Sequence, residues 1–152
     1  IVRAVLASAV IYGPLILLVA LAYLPAHGLS PAILALFPLL ALPLLLCLVL
    51  AYVLAILSAA LRDTVHIVGF LLSVGIYLSP ILFPMTLFPE SWRWILWLNP
   101  MTALVQGYQH VLLQGIWPPV AVWCVTLIWI GVLAWVLNVL VMRSRDQLVD
   151  WL

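Results

Sequence analysis

The 152 residues are 69% hydrophobic and 6% charged, far from the ~45–50% apolar and ~25% charged makeup of soluble domains, and so exclude a free globule in water. Five arginines, no lysine and four acids leave a net charge of +1, which excludes the basic stripe that draws proteins to nucleic acid by counterion release. The acids Asp63, Glu90, Asp146 and Asp150 are scattered and the seven glycines isolated. Paired carboxylates, a nucleophile beside a base and a phosphate-cradling loop are therefore all missing, and the chain reads as a non-enzyme that does not itself bind and split ATP.

A hydrocarbon core of ~30 Å takes about 20 mainly apolar residues per helix. On that measure the sequence predicts an all-α, polytopic membrane protein with four transmembrane helices, near residues 4–24, 39–61, 66–83 and 118–142, and short re-entrant or interfacial helices within 84–116. Backbone groups in lipid find no water, and these continuous apolar runs lack the alternation of a membrane barrel, so helices alone satisfy them. The chain opens Ile1-Val2-Arg3 without an initiator methionine or a charged leader, and is read as a fragment of a longer protein.

The first span, Ala4 to Leu24, is interrupted by Gly13-Pro14 and closes at the turn-forming run from Pro25 to Pro31. The second lies within Ala32 to Leu61. As one helix that stretch would measure about 45 Å, which predicts either tilt or a late start after Pro38 or Pro43. Arg62-Asp63 ends it at water, and a third span covers His66 to Phe83. Breakers then crowd the chain at Pro80, Pro84, Pro89 and Asn99-Pro100. Between them Glu90 to Leu98 reads as a short helix, with Pro89 at its start and an acid in its first turn. Met101 to Leu113, which carries Gln106, Gln109 and His110, is also too short to span. The last span, Pro118 to Met142, gives way to Arg143-Ser144-Arg145-Asp146.

Arginine accumulates in short cytoplasmic joints. With alternating spans, Arg3, Arg62, Arg143 and Arg145 share one side and Arg93 lies opposite. The C-terminus is then cytoplasmic and the stretch from Pro84 to Trp117 is outside, where Trp92, Trp94 and Trp97 suit an interfacial aromatic belt. His66 falls on the inner side and His27 and His110 on the outer, so a shared metal or haem site is not expected. Cys47 and Cys124 sit in apolar runs, where a thiol behaves as a small hydrophobe.

On the third span Phe70, Ser73 and Tyr77 share one helical face. Aromatic rings beside a hydroxyl suit the CH faces and hydroxyls of a sugar, making these three candidate lining residues of a translocation path. The same spacing also suits helix packing or interface anchoring. Arg62-Asp63 likewise reads as a solvated boundary pair, and Glu90 with Arg93 as a surface pair one turn apart.

Four stretches carry a resemblance. They are Leu57 to Ile67 with Arg62-Asp63, Tyr77 to Pro84 with Ser79-Pro80, Pro89 to Trp94, and Leu98 to Thr102 with Asn99-Pro100. In this order the chain resembles the C-terminal half of type-2 ABC exporter permeases, above all those of O-antigen, capsule and teichoic acid export. The tail from Arg145 to Leu152 is similar to that family's closing amphipathic segment. The chain departs from the pattern at Tyr108-Gln109-His110, where relatives commonly place an arginine. The resemblance implies a six-helix permease of the cell inner membrane, working as a homodimer with a separate cytoplasmic ATP-binding subunit that holds ATP and Mg²⁺, and no cofactor in this chain. It also implies a lipid-linked glycan as cargo, an aromatic-lined path at the dimer interface, and re-entrant gate helices outside. Ser79-Pro80 and Asn99-Pro100, which end helices within the membrane boundary, would then form the gate. A drug or antibiotic exporter of the same group, or a non-transporting structural membrane subunit, are the alternatives.

Overall fold

The computed structural model describes residues 1–27, 31–61, 63–81 and 87–149, and their side chains other than those of 24–27 and 144–149. Arg62 and the part of the third predicted span beyond Ile81 lie outside the described residues. Six α-helices make up the described chain: α1 (Val2–His27), α2 (Leu36–Ala60), α3 (Thr64–Tyr77), α4 (Arg93–Trp97), α5 (Pro100–Gln114) and α6 (Val120–Val149). Tight 3₁₀ turns at Pro31–Ala35 and Glu90–Trp92 lead into α2 and α4.

Among the described residues three helical stretches, not four, are long and apolar enough to cross a membrane: Val2–Tyr23, Pro31–Ala60 and Val120–Arg143. The third expected span shrinks to the 14 residues of α3, about 21 Å at 1.5 Å per residue and short of the ~30 Å core. Composition alone overran this helix because apolar residues continue past its end. Pro80 has no amide hydrogen to give the carbonyl one turn back, and the helix stops at Tyr77. The second span differs in the other sense. It starts at Leu36 and carries Pro43 inside the helix instead of beginning after it, which poses a hydrogen-bonding problem at Leu39.

α2 and α6 form the spine. Leu36 and Leu39 of α2 share an apolar cluster with Val111 of α5 and Val122 of α6, and a second cluster joins Leu46, Leu104 and Ile130. The two clusters fix directions: as α5 runs from Leu104 to Val111, α2 and α6 are each traversed backwards, so α5 lies antiparallel to both. In lipid, apolar contact between helices gains little over apolar contact with acyl chains, and close fit decides which helices associate. The helices fit closely at Gly107, where an added Cβ would lie 2.8 Å from Leu39 Cδ2 and 3.0 Å from Val122 Cγ1. Trp123 and Trp129 pack against the clusters while Trp135 is exposed, as their six-residue spacing round a helix requires.

α5 ends at Gly115, whose φ of 64° lies in the left-handed region. Its neighbour Ile116 returns an amide hydrogen to the His110 carbonyl at 3.1 Å, the closing bond of a glycine-terminated helix. Gly115→Val should therefore lower stability by about 1–2 kcal/mol, read as a fall in the thermal unfolding midpoint of the detergent-solubilised protein. Pro118 and Pro119 then stop any continuation and set the start of α6, with Val122 N–H on the Pro119 carbonyl at 3.0 Å.

Candidate functional site

α3 buries only Thr64, and apart from the half-buried Val68, Val74 and Gly75 its length is exposed. It is held at its two ends by polar bonds. At the start Thr64 Oγ1 donates to the Leu57 carbonyl at 3.2 Å, and exposed Asp63 takes the N-cap position without a side-chain cap bond. At the finish a cluster forms from the two helix breaks that the sequence marks. Asn99 Nδ2 donates to the Gly75 carbonyl and to Ser79 Oγ, each at 2.9 Å. Ser79 Oγ in turn donates to the same Gly75 carbonyl at 2.8 Å. On its other side Asn99 Oδ1 accepts the Met101 N–H at 3.0 Å, capping α5 with Pro100 in its first turn.

One amide side chain thus caps the C-terminal end of α3 and the N-terminal end of α5. Its orientation is forced, because the Gly75 carbonyl can only accept and the Met101 amide can only donate. A third tie comes from Gln109, whose Nε2 donates to the Pro80 carbonyl at 3.3 Å and whose Oε1 accepts from Gln106 Nε2 at 3.2 Å. His110 lies 2.7 Å from the Gln106 carbonyl through Nδ1, which turns its ring back onto its own helix. α5 is therefore two-faced: Ala103, Leu104, Gly107 and Val111 are buried, while Gln106 and Gln109 look to the end of α3. Ser79, Pro80, Asn99 and Pro100 are brought together. Gly75 and Gln109 complete the arrangement without having been singled out for it, although an amide on an otherwise apolar helix was the available signal.

The expected lining residues lie along the bare flank of α3. Phe70 is 69% and Tyr77 72% exposed, and Ser73 Oγ donates to the Gly69 carbonyl of its own helix at 2.9 Å. No described residue pairs with the Ser73 hydroxyl from another element. Of the tryptophans expected at the outer interface, Trp92 and Trp94 are exposed, whereas Trp97 packs inward against the cluster around Leu39. The Glu90–Arg93 pair forms at 3.3 Å, and Arg93 also donates to the Phe88 carbonyl at 3.1 Å. Between α1 and α2 lies an open groove of ≈670 Å³ lined by small and apolar residues, with Pro43, Cys47 and Tyr108 among them.

The sequence of residues 1–113 matches the ABC-2 type transporter family. The chain belongs to that family. It is therefore a multi-pass membrane protein of an ABC transporter, and the resemblance read in its Arg-Asp, Ser-Pro and Asn-Pro stretches holds. Similarity extends to the O-antigen export system permease protein RfbA of Myxococcus xanthus, 41% identical over 66 residues. That match takes in 42% of this ABC-2 chain and a quarter (25%) of the relative's own length. No solved structure matches the chain.

Proposed function

We propose that the chain is the membrane part of a permease that exports a lipid-linked polysaccharide of the O-antigen, capsule or teichoic acid type across the cell inner membrane. A separate cytoplasmic subunit binds and hydrolyses ATP, and two permease copies enclose the path. The observation that carries this reading is the state of α3: an apolar helix anchored at both ends, with Phe70 and Tyr77 on an uncovered flank. Similarity to an O-antigen permease supports a glycan over a drug as cargo, since sugar rings stack their CH faces on aromatic side chains. α4 and α5 are the outer re-entrant pair, Asn99 and Ser79 hold the gate between the path helix α3 and α5, and the C-terminus is cytoplasmic.

In this mechanism the permease does no chemistry. ATP binding in the partner moves the two copies, and the lining offers flat rings and hydroxyls in place of tight pockets, so a polymer slides without being trapped. The test uses the full-length protein carrying this chain, purified from membranes in mild detergent and then reconstituted. A stoichiometric ATP-binding subunit should co-purify, and ATP should drive glycan into vesicles. Phe70→Ala and Tyr77→Ala should each slow export about fivefold, the worth of one lost aromatic contact of ~1 kcal/mol. Their unfolding midpoints should stay within the ~0.5 kcal/mol band of exposed positions. A solitary protein without ATPase, or export unchanged in both variants, would sink the proposal.

A further inference from the structure

We infer that Tyr108 is a positioning residue whose hydroxyl replaces the amide hydrogen that Pro43 removes from α2, and that this bond registers α5 against the proline break. The inference rests on the permease reading above. In a continuous helix the amide of residue 43 would bond to the carbonyl of Leu39, four residues back. Proline has no such hydrogen and its ring pushes on that carbonyl. Leu39 is fully buried, and a membrane helix with a freed carbonyl must find its donor on a neighbouring element. The Tyr108 hydroxyl supplies it at 2.7 Å, across 69 positions of sequence.

The placement is specific to this pair of helices. Gly107, one residue earlier, has no side chain and so lets α5 close on the Leu39 side chain, while Tyr108 reaches the Leu39 backbone. Both ends of the contact fall on the same residue of α2, at the level of its proline. The face of α5 that carries Gln106 and Gln109, with the Asn99 cap, holds the end of α3. A change in the α2 break therefore reaches the gate through Tyr108 and the body of α5. Pro43 and Tyr108 also border the groove that Cys47 lines, which places a reporter thiol in the same groove as the proline and the tyrosine.

The test is a double-mutant cycle in the full-length protein with its ATPase partner. Glycan exported per ATP hydrolysed should fall about tenfold in Tyr108→Phe, which keeps the ring and removes only the donor that a buried acceptor requires. Adding Pro43→Ala to that variant should restore the ratio to within about twofold, because alanine returns an amide hydrogen to the Leu39 carbonyl. A ring that served only as packing would show neither the loss nor the rescue. The same four proteins, in a Cys124→Ser background, are read by the maleimide modification rate of Cys47. That rate should change with Tyr108→Phe and revert in the double variant. An unaltered Tyr108→Phe, or a defect that Pro43→Ala does not relieve in either readout, overturns the inference. Absence of export in the wild type with the cysteine cycle intact would instead overturn the cargo reading alone.

Discussion

Asn99→Ala is expected to be the most damaging single substitution at the proposed gate, lowering stability by about 2–4 kcal/mol and abolishing export in the molecules that still fold. Two losses add: a helix N-cap worth ~1 kcal/mol, and two part-buried hydrogen bonds from the amide nitrogen, to the Gly75 carbonyl and to Ser79 Oγ, worth ~0.5–1.5 kcal/mol each. The Gly75 carbonyl would keep only the Ser79 hydroxyl, and the Met101 amide would lose its side-chain acceptor. Asn99→Asp separates the two roles. An aspartate still caps α5 and adds a favourable negative charge at its N-terminus, but it offers no hydrogen to the Gly75 carbonyl. Stability should recover in part while export remains low. Thermal unfolding in detergent and vesicle export measure the two separately, and wild-type export by both variants would remove Asn99 from the gate.

The long helices were legible because they obey a rule of length and polarity. The first, second and last spans, expected at 4–24, 39–61 and 118–142, overlap the helical stretches Val2–Tyr23, Pro31–Ala60 and Val120–Arg143, with ends that differ by one or two residues except at the start of the second, which lies eight residues earlier than expected. The third was overrun because hydropathy reports where lipid is tolerable, whereas a helix end is set by hydrogen bonding at Ser79-Pro80. Proline in sequence announces a missing donor without saying whether the helix will break, as at Pro80, or be rescued, as at Pro43. The difference lies in the neighbour: Tyr108 reaches the carbonyl freed by Pro43, and such a partner 69 positions away carries no local signal. In the same way Ser79-Pro80 and Asn99-Pro100 were each readable as breaks, but their meeting depends on how α4 and α5 return the chain to the end of α3. The bare flank of α3 was readable as a face through the spacing of Phe70, Ser73 and Tyr77, while its lack of cover by the rest of the chain emerged only from the packing of α2, α5 and α6.

Gly107→Leu should have the largest effect on assembly of the fold. The helix spine leaves no volume at this position: a Cβ alone would stand 2.8 Å from Leu39 Cδ2 and 3.0 Å from Val122 Cγ1. The leucine tip can swing away, but valine is β-branched and stiff about its first torsion, so α5 itself must back off. Gly107→Ala should be mild, because the contact strain is offset by the ~1 kcal/mol that alanine gains over glycine inside a helix. Gly107→Val and Gly107→Leu have no such compensation and should cost about 3 kcal/mol or more, above the usual range for overpacking because two neighbours are met at once. Backing off would also pull Tyr108 from the Leu39 carbonyl and Asn99 from Gly75, so stability and export should fall together. The decisive control is Leu39→Ala, which opens room under position 107. Combined with Gly107→Leu it should destabilise by less than the sum of the two single changes, a coupling expected only of residues in contact. Additive losses in the thermal midpoints would mean that α5 does not close on α2 at Gly107, and the register on which both Tyr108 and the gate depend would have to be redrawn.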